Sequence, residues 1–215
     1  MFGRNLDPQS LIAGLLVFVV AITIHEFMHA FTAYRLGDPT AARLGRVTLN
    51  PVAHFDPLGF LFTVLLVLGF APIAWGKPVP VNPGNFRNPK RGMLLVAAAG
   101  PLSNLVQAVL FAIPWRFASP DWPPGVLTLL ETGVVLNIAL VVFNLLPIPP
   151  LDGHKILTGL LPDFWYGVLA PMEQYGFAIL LVLIFLPNIL RIDLFGAVIT
   201  PLRIVLSNYL IPGLF

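Results

Sequence analysis

The sequence predicts an all-α polytopic membrane protein of five to six transmembrane segments, with a small β-hairpin or re-entrant region between the first and third apolar segments. Three observations predict it. Hydrophobic residues make up 57% of the 215-residue chain and charged residues only 10%, against about 25% charged in a soluble domain. Six apolar runs approach the roughly 20 residues that cross a bilayer. Nothing between these runs is long enough to form an appended soluble domain, so residues 1–215 read as one membrane domain, with 36–90 as a strand, re-entrant and loop region inside it. The net charge of +2 comes without a basic tract and gives no footprint for nucleic acid. Cysteine is absent, which excludes disulfides, thiolate metal sites and a thiol nucleophile.

The first apolar segment, about 11–34, has no small-residue cleavage site and is expected to stay in the mature protein. The connection 36–56 alternates in "RLGRVTLN", which predicts a short strand or hairpin. The second segment, 58–73, has about 16 apolar residues with Gly59, Gly69 and Pro72 inside it. That length fits a re-entrant element as well as a crossing. Residues 74–90 are rich in Pro, Gly and Asn and read as a structured loop, with "KPVPV" extended and suited only to a sheet edge. Segments 92–115, 126–147, 166–187 and 194–212 complete the set. Trp75, Trp115, Trp122 and Trp165 fall near segment ends, as an interfacial aromatic belt would.

The first segment carries "AITIHEFMHAF" at 21–31. Ionisable groups inside a span are costly and mark function by default. His25 and His29 are spaced i, i+4, which stacks both imidazoles on one helix face where one divalent ion can be gripped. Glu26 stands where such patterns place a general base, and zinc suits an imidazole–carboxylate set with an open position. The bland alternative is a polar packing cluster or a helix end at the interface. A third ligand is sought in "FNLLPIPPLDGHKILTGLL", 143–161, where Pro147, Pro149 and Pro150 break a span and Asp152 begins a new turn. By itself Asp152 reads as an ordinary N-cap. His154 reads first as an interfacial residue and second as a ligand or a donor to one.

Three motifs in order, "HEFMH", "AAAGPLSN" at 97–104 and "NLLPIPPLDG" at 144–153, resemble the site-2 protease family of intramembrane zinc metalloproteases. "HFDPLG" at 54–59 and "KPVPVNPGNFRNP" at 77–89 resemble a compact prokaryotic branch of it, without the PDZ and CBS domains. The resemblance implies one zinc ion held by His25, His29 and Asp152, with Glu26 as the catalytic base. It implies places near the site for Asn104 and Asn144, as substrate-binding or oxyanion donors. It also implies transmembrane protein substrates in the lipid bilayer of a prokaryotic cytoplasmic membrane. His54 reads as an accessory ligand, a donor to a ligand or, with Asp56, a loop cap. Gly100 reads equally as helix packing or as part of the site. The strands expected at 41–49 or 78–82 would offer an edge to an extended substrate, and 74–90 a mouth or lid. The rival readings are a zinc transporter or sensor and a catalytically silent zinc-binding homologue. Against them stand the scattered Glu131, Glu173 and Asp193, and the intact Glu26.

The shared ion also constrains the threading. If all six segments cross, His29 and Asp152 end on opposite faces. If 58–73 re-enters, they converge. Loop Lys and Arg residues then split eight against three (Arg4, Arg116 and Arg191), instead of six against five, with Arg203 left out of both. The positive-inside rule favours the uneven split. The expectation is five crossings, an external N-terminus and a site nearer the cytoplasmic face.

Overall fold

The computed structural model describes residues 8–68 and 74–190, with 200, 201, 204, 205, 208 and 209 beyond them. Helix α1 runs Pro8–Arg35, α2 Thr40–Arg43, α3 Pro57–Val67, α4 Pro89–Arg116, α5 Pro124–Asn144, α6 Asp152–Leu160 and α7 Tyr166–Leu190. α1, α4 and α5 are long and apolar enough to cross a membrane. A fourth candidate is the pair Asp163–Leu169 and Pro171–Leu183, bent by 48°, where Pro171 removes a helix hydrogen bond and crowds the preceding turn. Of the 19 residues of the segment expected at 194–212, 13 lie outside the described residues.

Two of the helix starts carry side-chain caps. Asn88 accepts from Arg91 N–H at 3.0 Å at the head of α4, and Asp56 accepts from Gly59 N–H at 2.7 Å at the head of α3. Asp56 is therefore a cap. α3 has 11 residues, about 16 Å at 1.5 Å per residue, half the roughly 30 Å hydrocarbon core. Residues 69–73 of the expected second segment lie outside the described residues.

α4 packs against α1, α5 and α6. Its contact with α5 is built from Ala108, Ala112, Val134, Ile138 and Val142, and the contact of α1 with α5 from Val17, Phe18, Ala21 and Leu136. Small residues let these backbones approach closely, which is how helices associate where lipid is as apolar as the side chains. The outer faces are apolar too. Ile12, Leu16 and Val20 on α1, and Leu102, Val106 and Leu110 on α4, are exposed at four-residue spacing. Such an apolar outer stripe is what a helix turns towards lipid.

The expected β-hairpin is not formed: among the described residues there is no strand. In "RLGRVTLN" the chain instead closes the single helical turn α2 and reverses at Gly45, whose φ of 67° is left-handed. Arg46 N–H then returns to Ala41 O at 2.9 Å, and Asn50–Pro51 opens a 3-10 turn over Pro51–His54. "KPVPV" forms no regular element and has no ladder. Pro78 and Pro80 lack N–H groups, and the donors of Val79 and Asn82 go to the carboxylates of Glu26 and Asp38.

Candidate metal centre

The α-helical register of α1 places His25 and His29 one turn apart with their Nε2 atoms 2.9 Å from each other. After α5 the chain breaks at 145–151, where the Pro149–Pro150 bond is cis, and α6 begins at Asp152. The N-cap of α6 is Leu151, without a side-chain cap bond, so the Asp152 carboxylate is not spent on the helix end. Its Oδ2 lies 3.2 Å from both imidazole Nε2 atoms. Gly153 makes this approach possible: a Cβ there would sit 2.3 Å from Leu145 O, where α6 folds back on the end of α5. All three ligand candidates are buried.

The supporting hydrogen bonds decide which ring nitrogens are free. His29 Nδ1 lies 2.7 Å from Val96 O. A carbonyl only accepts, so this nitrogen carries the proton. His25 Nδ1 lies 2.6 Å from Asn104 Oδ1. The Asn104 amide is held in that sense because its Nδ2 donates to Asn137 Oδ1 at 2.9 Å and to Ala21 O at 3.4 Å. Asn137 in turn donates to Gly133 O at 2.9 Å. Both neutral imidazoles therefore turn an Nε2 lone pair towards the Asp152 carboxylate. Three electron-pair donors then converge with no proton to share between them, an arrangement that a cation relieves. Two imidazoles and a carboxylate, each imidazole with its other nitrogen anchored, form a donor set that suits zinc.

Glu26 is buried and its Oε2 accepts Val79 N–H at 3.1 Å. With the ligand triad it lines a cleft of about 280 Å³. A larger cavity of about 930 Å³ adjoins it, and the two share Pro78, Met93, Pro150, Leu151, Lys155 and Phe177. Asn144 also lines the cleft, with its Nδ2 committed to Leu140 O at 3.0 Å. Asn104 is fully buried behind His25 and does not line the cleft. Gly100 belongs to the close packing of α4 on α1: a Cβ there would lie 2.5 Å from His29 Nε2 and 2.6 Å from His25 Cε1.

The remaining histidines stand apart. His54 is buried and its Nε2 donates to Thr48 O at 2.8 Å, leaving Nδ1 to accept from Arg46 Nη2 at 3.3 Å. His154 is buried outside the ligand triad, with Nε2 3.5 Å from Glu173 Oε1 on α7. Two polar residues were not singled out by sequence reasoning. Asn137 is a carboxamide inside an apolar helix, a signal of the same kind as His25. Arg46 is buried although it sits in a loop, and its sequence context gives no hint of that. A third buried carboxylate, Asp38, accepts from Thr40 N–H and Oγ1, Asn82 N–H and Asn85 Nδ2. Burial acts to raise it, but these donors outweigh burial and hold it below the usual range.

The family model for peptidase family M50 matches residues 117–186. Three curated relatives each carry the name "Putative zinc metalloprotease". YwhC of Bacillus subtilis is 39% identical over 191 residues, covering 84% of each chain. Rip2 of Mycobacterium tuberculosis strain H37Rv is 35% identical over 197 residues, covering 87% of this chain and 73% of its own. MJ0611 of Methanocaldococcus jannaschii is 31% identical over 173 residues, covering 75% of this chain and 81% of its own. No solved structure matches.

Proposed function

Because the chain belongs to peptidase family M50, the site-2 protease family of intramembrane zinc metalloproteases, we propose that His25, His29 and Asp152 hold its one zinc ion and that Glu26 is its general base. The observation that carries this reading is the convergence of two imidazole lone pairs and one carboxylate in a buried cleft beside a second carboxylate. The substrates are membrane proteins, cut in or near a transmembrane segment. Bound zinc supplies the Lewis acidity that peptide hydrolysis needs. Glu26 takes a proton from the attacking water and returns it to the leaving amine. Asn104 fixes the His25 ring, and Asn144, at the cleft wall, contacts the substrate backbone. His54 acts from outside the ligand set. The cleft and the cavity beside it give an unwound substrate stretch room to lie across the site.

Cleavage of single-span substrates in detergent tests the reading. Glu26→Gln is expected to keep zinc and lose at least about 100-fold in kcat. Cleavage by Glu26→Gln at the wild-type rate removes Glu26 as the base. Zinc-dependent flux without cleavage restores the transporter reading.

The site lies nearer the cytoplasmic face of a prokaryotic membrane, with five crossings and an external N-terminus. The loop charges support this, as do bacterial and archaeal relatives. Reporters fused after residues 85 and 120 are expected on opposite sides, with 85 inside. An external 85, or both on one side, overturns the threading.

A further inference from the structure

Arg46 is 5% exposed, and it faces backbone: no carboxylate lies within ion-pair distance of it among the described residues. A buried guanidinium stays charged and is costly unless its donors and its charge are answered. Its Nη1 donates to Pro78 O at 3.1 Å and its Nη2 to Lys77 O. His54, whose own proton is committed to Thr48 O, accepts from Nη2 and holds the guanidinium in place. The carbonyl of Pro78 and the N–H of Val79 belong to one peptide group. That N–H donates to Glu26 Oε2. A single peptide unit is thus clamped between a cation and an anion and polarised by both, and each of its hydrogen bonds strengthens the other. The far end of the same stretch is fixed by Asn82 N–H on the buried Asp38 carboxylate at 2.8 Å.

We propose that Arg46 is a positioning residue for the hydrolysis, acting through the Pro78–Val79 peptide to aim the Glu26 carboxylate. The proposal rests on Glu26 being the base. With Oε2 occupied by Val79 N–H, the carboxylate loses its freedom to rotate, and Oε1 is left for the proton of the attacking water. His54 contributes by orienting Arg46, with no contact to the ligand triad. The charge on Arg46 reaches Glu26 through backbone, so no second side chain crowds the cleft.

The test compares Val79→Pro, which removes the N–H, with Val79→Ala, which keeps it. Zinc content, kcat and KM are measured on a single-span substrate. Val79→Pro is expected to lose at least about tenfold more kcat than Val79→Ala, with equal zinc content and KM moved less than threefold. Equal kcat in the two variants overturns the proposal. So does a loss carried by KM or by missing zinc, which makes the stretch a substrate or structural support. Amide exchange gives a readout independent of turnover. The stretch 78–81 has only the Val79 and Val81 amides, because Pro78 and Pro80 have none. Its slowest amide is expected to exchange at least about tenfold faster in Arg46→Gln, and unchanged exchange overturns the bridge. If Arg46→Gln does not fold, Arg46→Lys, which keeps the charge but lacks the fork that reaches both carbonyls, is read by the same exchange measurement with the same two outcomes. Failure of the protease reading looks different: the wild type does not cleave while the exchange protection persists, and the base-positioning role then falls with it.

Discussion

Gly100 on α4 lies against His29 on α1 so closely that a single added Cβ would come within 2.5 Å of the imidazole Nε2. The space for the metal is therefore set by a helix–helix contact as well as by the ligands. Gly100→Ala is expected to push α4 from α1 or rotate the ring, at a cost of about 1–3 kcal/mol in stability and at least about tenfold in zinc affinity. Competition with a zinc chelator, alongside thermal unfolding in detergent, checks both. Wild-type affinity in Gly100→Ala would show that the contact relaxes freely.

Asn137 holds the Asn104 amide, and Asn104 holds the His25 tautomer. Without Asn137 the Asn104 amide is free to turn its NH2 towards His25 Nδ1, which moves the ring proton to Nε2 where the metal is expected. Asn137→Leu should lower zinc affinity by about 10–100-fold while helix content stays unchanged. Metal titration followed by circular dichroism separates the two effects. A variant with full zinc affinity would show that Ala21 O alone fixes Asn104.

Asp38 gives a pH prediction outside the membrane-spanning helices. Its folded value is depressed below 3.8, so its stabilising contribution is full above the unfolded value and is lost as pH falls through the folded one. Asp38→Asn is expected to cost about 1–3 kcal/mol near neutral pH, with the gap to the wild type closing below about pH 4. Melting curves of both proteins from pH 3 to pH 7 check this. A gap that stays constant would mean that the loss is one of geometry alone.

Asp152 is the anionic member of the triad, and Asp152→Asn keeps its shape while removing the charge. Zinc content after dialysis against a weak chelator is expected to fall by more than half, with the fold retained. Full retention would shift the third ligand elsewhere.

What was legible in the sequence follows from what is local. The i, i+4 spacing of His25 and His29 needs only a helix, and a helix is what an apolar run dictates. Asp152 was legible through the proline break before it and the motif around it. Asn137 gave the same kind of signal as His25, a polar group within an apolar run, but it lacks an ionisable neighbour. The strand expected at "RLGRVTLN" was misread because alternation reports which side a residue faces and not whether a second strand is available. Arg46 counted as a loop charge, and nothing local showed that it turns inward to two carbonyls. Those contacts join residues about 30 positions apart, a distance at which one sequence has no periodicity to read.

The His25–Asn104–Asn137 chain ends on a main-chain carbonyl at Gly133, and His29 ends on another at Val96. Both anchors lie on helices joined by apolar packing, through Ala108 and Ala112 of α4 and Val134, Ile138 and Val142 of α5. The aim of the two imidazoles is thus written into main-chain oxygens that no side-chain substitution deletes. A mutation can displace these anchors only by moving a helix, whereas the amides between His25 and Gly133 can be lost one at a time.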